Sequence, residues 1–406
     1  NQNLAACAAL WSVHRLTGHS RWQEAFRRKW ARTLEHQNHE GWFVEYGGAD
    51  LGYSLLALDL LAALYRLGCT DALRPATTLS RFIRPFAFGA DVAGRLGSRG
   101  TDHSFAFGAE ALAGVLPDAS AVAAALRGAL GTGQVDDPRT VDDRYLAYFY
   151  LPSFVLAASV AGPLPSATAA PDTPEWSDSG FRIWRRSDGD VVCSARRCAA
   201  FNLYASPHPV HRNLGYWIET ADGRRFATNT WSTAAGRLAG SDEQQITVEA
   251  AAVRVEDQLP LVRHEVPFRA VSQYIFRWPS LAERFHRFIK RRKITRQAAG
   301  PVVLRRELRW SGNTLVVRDR LTSSGTLELT AIQPVSQIDV HSPSARMGGA
   351  AREHSIRVAH DTGKEWARDL NRSGSLTLVT TYGPGADGRL RFMTIEKEID
   401  STPRRR

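Results

Sequence analysis

Residues 302–332 read VVLRRELRWSGNTLVVRDRLTSSGTLELTAI, and this stretch decides the fold class of the second half of the chain. Apolar and polar side chains alternate through three segments, and Gly312 and Gly325 lie between those segments. Such alternation is typical of strands that bury one face, and glycine permits the tight turns that join neighbouring strands. The stretch therefore predicts three antiparallel strands joined by turns.

The same alternation extends outward in both directions from this stretch. Residues 181–197 and 215–228 each carry an Asp-Gly pair between apolar segments, which is a strong hairpin signal, and residues 375–399 predict two more strands. So many short strands with almost no helical pattern predict a large antiparallel β-sandwich over residues 181–400.

The pattern changes to a helical period in residues 1–160. Trp22, Phe26, Trp30 and Leu34 recur every fourth residue, after a Ser20–Gln23 capping box. The segment DLGYSLLALDLLAALYRLG, residues 50–68, begins on a helix-capping aspartate, ends on glycine and is apolar on nearly all sides, which predicts an inner helix. Successive short helices favour an α/α toroid, incomplete within 160 residues. Residues 161–180, rich in Pro, Ala, Ser and Thr, predict the linker. The fold class is therefore α+β.

Charge and hydropathy limit the possible partners. The chain of 406 residues has 52 Lys and Arg against 41 Asp and Glu, a net charge of +11 that favours anionic partners. No run of about 18 apolar residues occurs, so we expect no membrane span. The basic run RFHRFIKRRKITRQ, residues 284–297, predicts a solvated surface or a steering patch for a polyanion. Without a recognised nucleic-acid motif, binding to DNA or RNA is not expected.

Three residues stand out as candidates for chemistry. Asn1 precedes the first helix, and Tyr53 lies three residues after the capping Asp50, where the positive end of a helix favours a phenolate. His208 lies in the segment SPHPVHRN, in which prolines stiffen the chain before the hairpin at 215–228. Each also has a structural interpretation: a helix cap for Asn1, a core tyrosine for Tyr53 and a loop histidine for His208.

The order of these motifs resembles the heparinase II/III-like polysaccharide lyases. The resemblance covers residues 1 to about 335 and depends on Asn1, the turn GWFVE at 41–45, Tyr53 on an inner helix and the histidine segment before a β-hairpin. It implies that Asn1 binds a uronate carboxylate, that Tyr53 is catalytic, and that His208 is the catalytic histidine, with His211 as its competitor.

The activity that the resemblance implies is β-elimination from an acidic, uronate-containing polysaccharide. The amide of Asn1 would neutralise the carboxylate, and Tyr53 and His208 would act as base and acid. Further substrate contacts are expected from the following residues: Glu45, Arg99, His103, His211 and Asn213. This chemistry needs no cofactor, and the segments QQITV and ATNTW lack strong ligands where some family members bind zinc, so we expect no metal. Such a substrate implies a secreted or periplasmic protein.

Two other functions remain open from the sequence. An α/α-toroid glycoside hydrolase would need two facing carboxylates, for which Glu45, Asp50, Asp102 and Glu110 are available. A polysaccharide-binding or assembly protein could keep the scaffold without catalysis, since the histidine segment carries Arg212 where the family more often has an acidic residue.

Overall fold

The computed structural model describes most of the helical half and the main strands of the second half. The described residues are 1–45, 48–88, 91–92, 104–131, 146–165, 178–186, 189–195, 200–205, 208–228, 237–241, 245–254, 299–325, 327–336, 356, 358–388 and 390–398. The basic run at 284–297 and most of the predicted linker lie outside these ranges.

The described part of residues 1–160 is mainly helical, as its period predicts. The described α-helices there are α1 (Gln2–Thr17), α2 (Ser20–Leu34), α3 (Leu51–Arg66), α4 (Leu73–Ile83), α5 (Phe107–Leu112), α6 (Pro117–Gly131) and α7 (Leu151–Val160). Short 3-10 turns at Thr70–Ala72 and Arg84–Phe86 flank α4, and a π-helical turn at Leu146–Tyr150 leads into α7.

Helix α3 is the centre of this helical part. Most of its residues are buried, as its nearly continuous apolar sequence predicts. Asp50 caps the helix by accepting a hydrogen bond from the Tyr53 amide at 3.0 Å. Helix α5 packs closely on it at Gly108, because a Cβ there would lie 2.4 Å from the carbonyl carbon of Leu58. Glycine therefore allows the two backbones to meet.

The second half contributes antiparallel strands, in agreement with the alternating pattern. After the two-residue strands β1 (Ala87–Phe88) and β2 (Asp91–Val92), the strands are β3 (Phe181–Trp184), β4 (Asp190–Ser194), β5 (Ala200–Ala205), β6 (His208–Thr220), β7 (Arg225–Ala227), β8 (Arg237–Ser241), β9 (Gln245–Arg254), β10 (Ala299–Ser311), β11 (Thr314–Ser323), β12 (Leu329–Ser336), β13 (Ser375–Pro384) and β14 (Leu390–Lys397). Strands β3 to β14 form one described sheet in the order β14-β13-β11-β10-β9-β7-β6-β5-β4-β3, with β12 added to β6 and β8 to β9.

This sheet folds over so that distant strands face each other across a common core. The ring of Phe201 on β5 lies edge-on to Tyr382 on β13, with ring centroids 6.4 Å apart. The hydroxyl of Tyr216 on β6 donates to Asp319 on β11 at 2.7 Å. Since β5 and β6 are hydrogen-bonded neighbours far from β11 and β13 in the strand order, these contacts cross between two layers. The mixed fold class with antiparallel sheets is confirmed.

The helical part and the sheet meet along β3. Phe86 packs edge-on against Phe181 with ring centroids 5.0 Å apart, and the Arg185 guanidinium donates to the Pro85 carbonyl at 2.5 Å. The Glu40 carboxylate accepts the backbone amides of Asp178 and Ser179 at 2.8 and 3.1 Å, just before β3 begins. The core of the helices therefore continues onto the first strands of the sheet.

Three local expectations are wrong. His19, not Ser20, takes the cap position of α2, and no side-chain capping bond forms there, so the predicted capping box is absent. The third strand of residues 302–332 pairs with β6 rather than with its neighbour β11. An α-helix, α8 (His360–Ser373), lies within the region predicted to be almost free of helix, and buries Trp366 and Leu370 in the sheet core.

Candidate functional site

Asn1 and Glu45 are brought together by the structure. The Asn1 Nδ2 donates to Glu45 Oε2 at 3.3 Å, and the main-chain nitrogen of Asn1 lies 3.3 Å from the same oxygen. The Asn1 side chain is 11% exposed, and its Oδ1 is buried with no hydrogen-bond donor within the part of the chain that the structure describes. A buried acceptor without a donor is costly, so this oxygen is a candidate point of contact for a ligand.

Glu45 connects Asn1 to the start of α3. The backbones of Glu45 and Gly48 exchange hydrogen bonds of 2.9 and 3.1 Å, which closes a tight turn shortly before Asp50. Asn1 is the cap residue of α1, so the positive end of that helix lies beside the Glu45 carboxylate.

Tyr53 lies in the first turn of α3, beyond its capping Asp50. Its side chain is partly buried against the helical core, and its amide is the group that Asp50 caps. Asn1 contacts Glu45, and Tyr53 follows Glu45 by eight residues, in the first turn of α3.

The histidine segment is part of a strand rather than a loop before a hairpin. β6 begins at His208, which pairs with Ala205, while His211 pairs with Leu203 and Asn213 precedes Leu214. The register shifts between Leu203 and Tyr204, opposite the stretch that contains Pro209. Proline cannot donate to the ladder, so an irregular pairing at this point has a local cause. The expectation of a loop is therefore wrong, because this segment is a strand. For His208, His211 and Asn213 the structure describes the backbone only.

The strand register locates His208 relative to the helical part. His208 follows Ala205 of β5, which is level with the end of β3 where Arg185 contacts Pro85. Strands β3 and β6 are separated by three strand spacings, or about 14 Å. His208 thus lies at the same end of the sheet as the Arg185–Pro85 contact, three strands away from it. Arg99 and His103 lie outside the described residues.

Two of the carboxylates that a hydrolase could use are engaged in other contacts. Asp50 caps α3, and both oxygens of Glu110 accept hydrogen bonds from Arg127 at 2.7 and 2.6 Å. Asp102 lies outside the described residues. Of the three described carboxylates, Glu45 contacts the candidate residue Asn1, and Asp50 accepts the backbone amide of Tyr53.

A cluster of His39, Glu40 and Asp178 brings together three residue types that can bind metals. His39 Nδ1 lies 3.5 Å from Asp178 Oδ2, but both side chains are mostly exposed. Glu40 already accepts the two amides that precede β3 and the Trp42 indole N–H at 2.8 Å. These contacts account for the cluster as a junction between the helices and the sheet.

Sequence reasoning missed a buried carboxylate in the middle of α3. Asp59 accepts the Gly108 amide at 2.6 Å and is hydrogen-bonded by Ser153, whose Oγ also accepts the amides of Ala106 and Phe107. Burial raises the pKa of Asp59 to about 7, although both hydrogen bonds act in the opposite direction. A single aspartate within the apolar segment 51–64 was the signal. Its partners show a structural role, because Asp59 joins α3, α5 and α7.

Asp59 makes stability depend on pH. Its folded pKa of about 7 lies above the unfolded value of about 4, so the folded state holds the proton more tightly and stability decreases as the pH rises between these values. Between pH 5 and pH 7 we expect the wild type to lose about 2 kcal/mol of its free energy of unfolding relative to Asp59→Asn. Urea unfolding at several pH values measures this difference.

The control for this measurement is Asp71→Asn, which changes an exposed carboxylate in the same helical part. Its difference from the wild type should stay nearly constant over the same pH range. A constant difference for Asp59→Asn as well would show that Asp59 does not titrate in this window.

The comparisons with known proteins add no family to this description. No protein-family model matches the chain, and no curated protein sequence matches it. Within the described ranges, none of the helices has both the length and the apolar character needed to cross a membrane. The functional conclusion must therefore be built from the residues themselves.

Proposed function

We propose that the chain is a polysaccharide lyase of the heparinase II/III-like type, which cleaves an acidic, uronate-containing polysaccharide by β-elimination. In this interpretation α1 to α7 are part of an α/α toroid, and the folded sheet is the β-sandwich. The observation that carries the proposal is the hydrogen bond between Asn1 and Glu45, in the segment that leads to Tyr53.

The chemistry requires a neutral donor at the uronate carboxylate. Removal of the C5 proton places further negative charge on that carboxylate, and a preorganised amide stabilises it. An asparagine amide has two N–H groups. Glu45 accepts one from Asn1, which fixes the orientation of the amide and leaves the second for the substrate. The Asn1 Oδ1, buried without a donor among the described residues, is available to a sugar hydroxyl.

Proton transfer is assigned to Tyr53 and His208. The base removes the C5 proton, and the acid protonates the leaving O4 oxygen, so that a double bond forms between C4 and C5 as the glycosidic bond breaks. Tyr53 is part of the helical wall, and the backbone of His208 lies at the same end of the sheet as the Arg185–Pro85 contact, three strands away from it. A polymer lying between the two parts would meet one group from each. Polymeric uronates occur mainly outside the cytoplasm, which supports a secreted or periplasmic location.

The alternatives are less well supported by the described contacts. A glycoside hydrolase needs two facing carboxylates, and Asp50 and Glu110 are held by a helix cap and by Arg127. A binding or assembly protein would not need a proton-transferring tyrosine at Tyr53 or a carboxylate-binding amide at Asn1. The basic composition, a net charge of +11, suits an acidic polymer in either a lyase or a binding protein.

Product analysis separates the three functions. The chain is incubated with a panel of uronate polymers, and ultraviolet absorbance and reducing ends are followed together. A lyase produces the 4,5-unsaturated uronate and the absorbance rises. New reducing ends without that chromophore would indicate a hydrolase, and an intact but bound polymer would indicate a binding protein.

A further inference from the structure

Strands β10 and β11 carry a cluster of arginines on the face of the sheet that points away from the core. Leu304 and Leu308 point inward and are fully buried, so the residues between them point outward. Four exposed arginines occupy this outer face and are called here the outer arginine patch: Arg305, Arg309, Arg318 and Arg320.

The register fixes how closely these arginines lie. Arg305 is directly opposite Arg320, which places their Cβ atoms about 5 Å apart. Arg318 is two residues from Arg320 on the same strand, and Arg309, opposite Val316, is diagonal to Arg318 at about 7–8 Å. The patch therefore spans about 14 Å along the strands.

Part of this charge is balanced by neighbouring carboxylates, and Arg309 and Arg320 have none directly opposite them. Arg318 pairs with Glu398 at 2.8 Å, and the Arg320 Nε donates to Ser375 Oγ at 3.1 Å. Glu249 lies directly opposite Arg305 and Glu307 directly opposite Arg318, although among the described residues neither carboxylate forms an ion pair with Arg305, Arg309 or Arg320. Like charges directly opposite on a sheet are destabilising, so an anion bound between Arg305 and Arg320 would relieve a cost.

We propose that the outer arginine patch is a second binding surface for acidic polysaccharide, on strands other than those that carry the candidate site. A guanidinium presents parallel N–H groups that match a carboxylate or sulfate, and a row of four suits a polymer with repeated anionic groups. The outward positions of β10 and β11 include no aromatic side chain on which a base could stack, which disfavours single-stranded nucleic acid. The choice of ligand rests on the proposed function.

The test compares two double variants that remove the same charge. Arg305→Gln/Arg320→Gln removes the opposed pair. Arg224→Gln/Arg391→Gln removes two surface arginines that are ion-paired with Asp222 and Asp387. Binding of polygalacturonate is measured by titration at low and high salt. We expect the first variant to bind about tenfold more weakly at low salt and with a shallower salt dependence. The control should stay within about twofold of the wild type.

A second measurement compares thermal stability with and without polymer. Removing the opposed charges should raise the melting temperature of Arg305→Gln/Arg320→Gln, and polygalacturonate should raise the melting temperature of the wild type more than that of the variant. Equal binding by wild type and variant, an equal loss in the control, or equal binding of uncharged dextran would overturn the proposal. Tighter binding of duplex DNA than of polygalacturonate at the same salt would overturn it as well.

The experiments can reject the lyase proposal and the binding-surface proposal independently of each other. Patch-dependent binding without unsaturated products would leave the binding surface intact and reject the lyase. Unsaturated products together with binding that does not depend on the patch would support the lyase and reject the binding surface.

Discussion

We expect Asp319→Asn to lower the free energy of unfolding by about 3–5 kcal/mol, because it leaves a buried arginine without its counter-charge. Arg306 and Asp319 are both essentially inaccessible to solvent, and the guanidinium donates from Nε and a terminal nitrogen to the two carboxylate oxygens, each at 2.7 Å. Asparagine keeps the shape of the side chain but removes the charge and one acceptor. Urea unfolding measures the change.

The surroundings of this pair explain why the loss should be large. The Tyr216 hydroxyl donates to Asp319 at 2.7 Å, and Arg306 also donates to the Leu214 carbonyl at 2.8 Å. Burial and the nearby Asp319 charge raise the pKa of Tyr216 well above its ordinary value, so the phenol keeps the proton that it donates. The network joins β6 to β10 and β11, across the two layers of the sheet.

A matched control distinguishes burial from charge alone. Asp387→Asn breaks a pair with Arg391 at 3.0 Å that is largely exposed, and it should cost no more than about 1 kcal/mol. Arg306→Met combined with Asp319→Leu should recover much of the lost stability, since apolar side chains of similar volume fill the same space without a buried charge. A cost for Asp319→Asn as small as that for Asp387→Asn would show that solvent reaches the pair.

The buried pair of Arg306 and Asp319 can be predicted from local sequence, because both residues lie on the two strands of one hairpin. In residues 302–332 the inward positions of the first strand include Leu304, Arg306 and Leu308, and those of the second include Val317, Asp319 and Leu321. The turn at Gly312 sets the register and places Arg306 opposite Asp319. When the apolar face of one hairpin strand carries a positive residue and the apolar face of the other carries a negative residue at the paired position, the sequence indicates a buried ion pair.

The correct local predictions have the same origin. The Asp50 cap, the buried α3 and the Asp222-Gly223 hairpin each depend on residues close in sequence, whose patterns encode the structure directly. The errors involve distant partners. Strand β12 has the alternation of a third meander strand, but it pairs with β6, more than 100 residues earlier in the chain. Helix α8 has an apolar stripe whose burial depends on the sheet beneath it.

The candidate site divides in the same way. The position of Tyr53 in the first turn of a helix follows from Asp50 three residues earlier, a purely local signal. The hydrogen bond between Asn1 and Glu45 joins residues 44 apart and depends on how α1 packs beside α3. The relation of His208 to the helices depends on four strands in register, which no local pattern specifies.

Tyr53→Phe should reduce the rate of β-elimination by about 10²–10⁴-fold while leaving the fold and polymer binding nearly unchanged. The substitution removes only the hydroxyl, so the ring still packs against the helical core and its amide is still capped by Asp50. If Tyr53 transfers a proton in the transition state, the loss falls on kcat, because general acid–base groups contribute a factor of this size. The appearance of the unsaturated uronate chromophore under saturating polymer measures it.

Tyr65→Phe is the matched control for this variant. Tyr65 lies twelve residues further along the same helix, about 18 Å from Tyr53 along the helix axis, and is likewise partly buried against the helical core. It loses the same hydroxyl from the same helix, so any general effect of the change on α3 appears in both variants. Wild-type elimination by Tyr53→Phe, or an equal loss in Tyr65→Phe, would remove Tyr53 from the mechanism. A loss confined to Tyr53→Phe, with unchanged polymer affinity, would place proton transfer at the start of α3.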